Sequence, residues 1–155
     1  MCCVFIALSL AGRPVLGVID AFNRAECYRG IPSKGAWLND QPMRVSKTTD
    51  ADRAILVTGF PTKFDVHGAG LQRFVDNARR FKKVRMLGSA ALMMAYVAAG
   101  RADAYAEDDI MYWDIAAGAA LVEAAGGWVH LEPTPAGKWT RRVRCAAHAY
   151  MWPTA

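Results

Sequence analysis

Five acidic side chains fall within twelve consecutive positions of a chain whose formal net charge is +5. Carboxylates are the hard oxygen ligands that magnesium prefers, and the ion usually takes one or two of them together with water and phosphate oxygens. The cluster therefore indicates a candidate magnesium site, although acidic loop residues in contact with solvent would show the same pattern. Its members are Asp103, Glu107, Asp108, Asp109 and Asp114.

Asp114 has two interpretations of its own. It stands at the start of an alanine-rich segment that we predict as a helix, Asp114 to Ala125, which ends before Gly126. Aspartate is a leading N-cap residue, and its negative charge is favoured at a helix N-terminus. The alternative is a metal ligand held rigidly at that helix start, and the residues alone favour the cap.

A second candidate site is the small-residue segment Gly88-Ser89-Ala90-Ala91, which opens a predicted apolar helix, Ser89 to Ala99. The free N–H groups of a helix N-terminus bind anions and hydroxyl groups. Small residues also let neighbouring elements pack closely, and both roles are compatible. Other catalytic patterns are missing from the sequence: there is no histidine spacing for a metal, no nucleophile elbow and no G-x-x-x-x-G-K loop.

Composition limits the class of protein. A length of 155 residues and 54% hydrophobic content fit one domain, 1–155, with a substantial core. The longest apolar stretch, Ala90 to Ala99, is too short to span a bilayer, so we expect no membrane insertion. The four cysteines lack C-x-x-C spacing, which favours reduced thiols and a cytoplasmic location. The basic runs are interpreted as solvated faces, so nucleic-acid binding is not expected.

The elements that must position these residues follow from the apolar pattern. Val4 to Leu10 and Val15 to Ile19 flank a Gly-Arg-Pro break and predict a hairpin, and Glu26 to Arg29 predicts a third strand. In the second half, predicted strands alternate with helices, the first of which is His67 to Phe81. The predicted strands are Ala54 to Thr58, Val84 to Leu87, Asp103 to Ala106 and Trp128 to Leu131. The predicted fold is α/β, an antiparallel sheet followed by alternating strands and helices.

Several segments together resemble the inositol monophosphatase family. Trp113 to Gly118 is similar to that family's W-D-x-A-A-G motif, which is quite specific. Further matching segments are Val15 to Ile19, Glu26 to Tyr28, Gly35 to Asn39, Val57 to Pro61 and the helix opening at Gly88, so that the resemblance runs from about residue 3 to about 131.

The resemblance implies the second half of a layered sugar-phosphatase fold and hydrolysis of a phosphate monoester by magnesium-activated water. It implies that Asp114 ligates Mg²⁺, against the cap interpretation, and that Glu107 contacts a substrate hydroxyl. The backbone of Gly88, Ser89 and Ala90 would contact the substrate, with Thr62 as a loosely matched pocket residue. Implied substrates are inositol phosphates, histidinol phosphate, fructose bisphosphate or a nucleoside bisphosphate, and a homodimer is a candidate assembly.

The sequence departs from the family pattern in one large respect. The family's earlier metal-binding glutamate and its D-P-x-D-G-T motif are not found in these residues. We therefore expect a catalytically incomplete chain that is close to inactive alone. The alternatives are a non-catalytic interaction module and a basic nucleic-acid binder.

Overall fold

A computed structural model of the protein describes residues 2–60 and 69–152. The chain first forms an antiparallel sheet whose five strands are neighbours in sequence order, β1-β2-β3-β4-β5. This confirms the predicted hairpin and the antiparallel opening of the chain. The strands are Val4–Leu10, Arg13–Ala21, Glu26–Ile31, Gly35–Leu38 and Gln41–Met43.

The second half forms a mixed sheet with strand order β7-β6-β8-β10-β9, in which β6 is parallel to β7 and β8. The alternation of these strands with helices confirms the predicted α/β class. The strands β6 to β10 are Ile55–Thr58, Lys83–Arg85, Ala104–Met111, Trp128–Pro133 and Thr140–Ala146, and the helices α1 to α3 are Ala69–Arg80, Ala90–Ala98 and Tyr112–Ala124. The first two positions of the predicted His67 to Phe81 helix lie outside the described residues.

Helices α2 and α3 lie between the two sheets and bury most of their surface there. Their small residues allow this close layering: a Cβ atom at Gly17 of β2 would overlap the backbone carbonyl of Ala117 in α3. Helix α1 lies on the opposite face of the mixed sheet, where Arg73 binds Asp108 and Arg80 binds the Met151 carbonyl. Phe81, which follows this helix, packs with Leu56 and Trp152 on the same face. No helix in the described part of the chain combines the length and apolar composition needed to cross a membrane.

Strand β8 differs from its prediction, and the difference bears on the site. The observed strand, Ala104–Met111, begins one residue later than the predicted Asp103 to Ala106 and is twice as long, because Glu107, Asp108 and Asp109 continue the strand instead of forming a loop. The partner strand β10 supplies the reason, since its backbone pairs with β8 as far as Met111. The chain end after Lys138 had no clear pattern, so this pairing was not visible in the sequence.

Candidate active site

The acidic cluster of the sequence does not persist as a cluster in space. Asp103 is buried and accepts hydrogen bonds from the Ser46 hydroxyl (2.5 Å) and the Ile55 amide (2.7 Å), so it ties a loop to the start of β6. Asp109 is exposed. Asp108 faces α1 and is bound there by arginines. Three of the five carboxylates therefore serve other purposes.

A bulge in β8 selects what faces the site. The pairing of β8 with β10 shifts between Glu107 and Ile110, and Asp109 adopts left-handed backbone there, with φ of 54°. In a regular strand Glu107 and Asp109 would share a face. The extra residue instead places Ile110 on the face of Glu107, and both line one cavity.

A cavity of about 480 Å³ is lined by all five residues of the predicted substrate and metal site, and we call it the substrate cavity after that prediction. Gly88, Ser89 and Ala90 form one wall, and the side chains of Glu107 and Asp114 line it as well. What these residues bind stays a prediction. Their neighbours Phe5, Met93 and Ile110 were missed because an apolar residue in a cavity wall has the same sequence pattern as one in the core.

The small-residue wall is a genuine helix N-terminus. Ser89 is the N-cap of α2, and its hydroxyl accepts a hydrogen bond from the Leu92 amide at 3.4 Å. Gly88 before it has a φ of 77°, a conformation that side chains disfavour. The amides of Ala90 and Ala91 have no intrahelical acceptor, as at the start of any α-helix, and are available as donors to a ligand.

Glu107 is held in place by its neighbours. The hydroxyl of Tyr105, which is fully buried, donates a hydrogen bond of 2.7 Å to its carboxylate. Gly59 lies against the same carboxylate, since a Cβ atom there would come within 2.5 Å of the Glu107 Oε2 atom. Burial raises the pKa of Glu107 above its ordinary value, the Tyr105 hydrogen bond opposes this rise, and the negative charge of Asp114 adds to it.

Asp114 is not an N-cap, so the cap interpretation is wrong. Helix α3 begins two residues earlier, with Met111 in the cap position, and Asp114 lies in the first turn. Negative charge is favoured there by the helix dipole, while partial burial raises the pKa of Asp114. No described residue forms a hydrogen bond or ion pair with this carboxylate, which leaves both oxygens available to a ligand.

The described residues of the substrate cavity do not meet the coordination needs of a magnesium ion. No group of three or more His, Cys, Asp or Glu side chains that would hold a metal exists among residues 2–60 and 69–152. The described lining of the substrate cavity offers two carboxylates, and Glu107 is already engaged by Tyr105. Magnesium demands near-octahedral oxygen coordination, so the described residues do not form a magnesium site by themselves. Thr62, the loosely matched pocket residue, lies outside the described residues.

Comparison with known proteins agrees with the geometry. The sequence model of the Inositol monophosphatase family matches residues 1–151. The chain is 39% identical to the inositol-1-monophosphatase of Synechocystis sp. over 128 residues, which are 82% of this chain and 45% of that protein. It is 38% identical to Nus factor SuhB of Pasteurella multocida over 130 residues, which are 81% of this chain and 48% of that protein.

A solved structure shows the same arrangement of elements. The inositol monophosphatase from Anabaena (Nostoc) sp. PCC 7120 superposes with a TM-score of 0.83 at 35% identity, covering 96% of this chain and 60% of that one. The chain therefore spans about half the length of the curated relatives it matches and about three fifths of that solved chain.

Proposed function

The chain belongs to the inositol monophosphatase family, and we propose that it forms the alcohol-binding part of a site that hydrolyses a phosphate monoester. One observation carries the proposal: Glu107, Asp114 and the N-terminus of α2 line the same cavity, although they come from three separate elements. Hydroxyl groups of an inositol-type or sugar-type alcohol are the ligands that these groups suit.

Each residue has a distinct task in this proposal. The Glu107 carboxylate accepts a hydrogen bond from a substrate hydroxyl, and Tyr105 keeps it aimed at the cavity. The free amides of Ala90 and Ala91 donate to oxygen atoms of the substrate. The apolar side chains of Phe5 and Ile110 exclude water from the ring of the alcohol. None of these residues performs the bond-breaking step.

Asp114 is assigned to the metal. When bound, magnesium polarises a phosphoryl group and lowers the pKa of a coordinated water. Because Asp114 offers one carboxylate and the described residues complete no metal site, we propose that the isolated chain binds magnesium weakly and is close to inactive as a phosphatase.

The test supplies the other part of the fold as a separate polypeptide. The chain is assayed for phosphate release from inositol phosphates and other monoesters with magnesium, alone and after mixing with the portion of the Synechocystis inositol-1-monophosphatase that it does not match. We expect little release alone and restored release in the mixture. Asp114→Asn should lower that restored rate by orders of magnitude, and Glu107→Gln should change the preference among substrates more than the affinity for magnesium.

Asp109→Asn is the matched control, because Asp109 is an exposed aspartate of β8 outside the cavity. Equal losses in Asp109→Asn and Asp114→Asn would reject the assignment of Asp114. Turnover by the isolated chain at roughly 1–10³ per second, abolished by Asp114→Asn, would show instead that the chain builds a complete site.

A non-catalytic interaction module is the second candidate function, and the outer side of β1 favours it. Val4, Ile6, Leu8 and Leu10 are 58%, 64%, 60% and 71% exposed, an unusual row of apolar side chains for a protein surface. Some relatives also carry the name Nus factor rather than an enzyme name. Replacing Ile6 and Leu8 with lysine should then abolish association with other proteins while leaving the substrate cavity intact; unchanged association would exclude β1 as the interface.

A further inference from the structure

A second cavity, of about 290 Å³, lies between α1 and the mixed sheet, on the face opposite to α2 and α3. We call it the arginine cavity, because Arg73, Arg80 and Arg144 line it together with Asn77 and Trp152. Its volume is near the lower end for small-molecule sites, which span roughly 300–1,000 Å³. None of these five residues has a part in the proposed hydrolysis.

One of its arginines is already neutralised. The Arg73 Nε atom donates to Asp108 Oδ2 at 2.5 Å, and the Nε atom of Arg142 donates to the other oxygen of the same carboxylate at 2.9 Å. Asp108 therefore faces two guanidinium groups, and its negative charge is fully offset. Among the described residues, no carboxylate forms an ion pair with the remaining two arginines of the cavity, Arg80 and Arg144.

Arg80 and Arg144 keep donors free. Arg80 donates from Nε to the Met151 carbonyl at 2.7 Å, which orients its guanidinium and leaves the terminal nitrogens available. The guanidinium of Arg144 lies over the Trp152 ring at 5.7 Å, and no described residue forms a hydrogen bond or ion pair with it. The Asn77 side-chain amide likewise has no hydrogen-bond partner among the described residues, and all three groups are only partly exposed.

Two further acidic residues, Asp76 and Glu107, line the wall, and neither forms an ion pair with Arg80 or Arg144. Asp76 is exposed and accepts a hydrogen bond from Gln72 at 2.9 Å. Glu107 is bound by Tyr105 on the other face of the sheet. Aromatic rings form the apolar part of the wall, since Phe60 and Phe74 pack with their centroids 4.8 Å apart.

We propose that the arginine cavity is a second anion site that binds a phosphate group through Arg80, Arg144 and Asn77, separately from the substrate cavity. A planar guanidinium presents paired N–H donors that match the oxygen spacing of a phosphate. The Arg144 guanidinium lies within cation–π distance of the Trp152 ring, which keeps it beside the cavity wall. The partial burial of both arginines strengthens their attraction for an anion.

The test measures binding to the complete chain in low salt with EDTA, because the absence of metal removes binding that depends on the proposed catalytic ion. Inorganic phosphate and phenyl phosphate are titrated separately by calorimetry. Both should bind saturably if the site recognises the phosphate group, and tighter binding of phenyl phosphate would identify an organic phosphate as the better ligand for the aromatic wall.

Substitutions separate this site from bulk charge. Arg80→Gln and Arg144→Gln should each weaken binding at least about tenfold, as expected for the loss of a charge-assisted pair worth 1.4 kcal/mol or more. Arg144→Lys keeps the positive charge but loses the paired N–H donors of the guanidinium, so it should weaken binding by a smaller factor than Arg144→Gln. Two controls should leave phosphate binding unchanged. Arg79→Gln alters an exposed arginine of α1 that does not line the cavity, and Asp114→Asn alters the other cavity.

Nuclear magnetic resonance of the unaltered chain provides a reading that needs no variant. Added phosphate should shift the side-chain Nε–H signals of Arg80 and Arg144 and the indole N–H of Trp152, and should leave Ala90 and Ala91 unshifted. Non-saturable binding, equal weakening by Arg79→Gln and Arg144→Gln, or shifts confined to the α2 N-terminus would each overturn the proposal.

Discussion

The substrate cavity and the arginine cavity share a wall but differ in the groups that line the rest of each cavity. Thr58, Gly59, Phe60 and Glu107 line both. The substrate cavity adds the carboxylate of Asp114 and a helix N-terminus, whereas the arginine cavity adds three guanidinium groups. The difference follows from the elements that pack on each face of the sheet. The arginines come from α1 and β10, whereas Asp114 and the helix N-terminus come from α3 and α2.

What separates the two cavities is one short segment of backbone. Gly59 follows β6, and the Glu107 carboxylate occupies the space that a side chain at this position would need. The strand therefore directs the carboxylates of Glu107 and Asp108 to different neighbours, although the two residues are adjacent in sequence. Substitutions on one face should consequently have effects that the other face does not share.

The largest effect is expected from Tyr105, which belongs to the substrate cavity side alone. Tyr105→Ala removes a fully buried aromatic side chain and should lower the free energy of unfolding by about 3–5 kcal/mol. Tyr105→Phe keeps the ring and removes only the donor to Glu107, so we expect a loss of about 1–3 kcal/mol. Urea unfolding measures both. A Tyr105→Phe loss as large as that of Tyr105→Ala would mean that the ring contributes nothing.

Asp108→Asn should have an intermediate effect that is limited to the arginine cavity. The substitution removes the carboxylate that Arg73 and Arg142 share, and the side chains of these arginines are about a third exposed. We expect the free energy of unfolding to fall by about 1–2 kcal/mol, a value between those of exposed and buried ion pairs. The freed guanidinium groups should also tighten phosphate binding several-fold in calorimetry. Asp109→Asn, with an exposed side chain in the same strand, is the control and should change neither quantity.

Glu107→Gln, on the wall that both cavities share, should change the free energy of unfolding least, and it should raise that free energy instead of lowering it. Burial raises the pKa of Glu107 in the folded protein, so its contribution to stability is fully present below the ordinary glutamate pKa of about 4.3 and is lost as the pH rises through the folded value. Glutamine stays neutral and can still accept from Tyr105. We expect the variant to be more stable by about 0.5–1 kcal/mol at pH 8 and equal near pH 4.

Thermal unfolding of both forms across that pH range provides the measurement. A constant difference between Glu107→Gln and the unaltered chain would show that the glutamate is neutral or solvated throughout. A variant that is less stable at pH 8 would contradict the role of burial directly.

Elements with local signals were predicted well from the sequence. The first hairpin has a turn signal between two apolar runs, and α2 is apolar all round with a serine before it and a glycine after it. The second half of β8 was missed because its polar residues resemble a loop, and only pairing with β10 makes them a strand. The predicted start of α3 was two residues late. Aspartate is a common N-cap residue, but Asp114 lies inside the first turn of the helix.

The sequence by itself determined the family, the fold class and five of the residues that line the substrate cavity, because motif and apolar spacing are properties of the chain. Only the tertiary structure decided which acidic neighbours share a site. Asp103, Asp108 and Asp109 are separated from Glu107 by strand alternation and by the bulge, and Asp114 joins Glu107 through the packing of α3 against the sheet. The arginine cavity has no sequence signal, since its three arginines come from α1 and β10 and meet only where those elements pack.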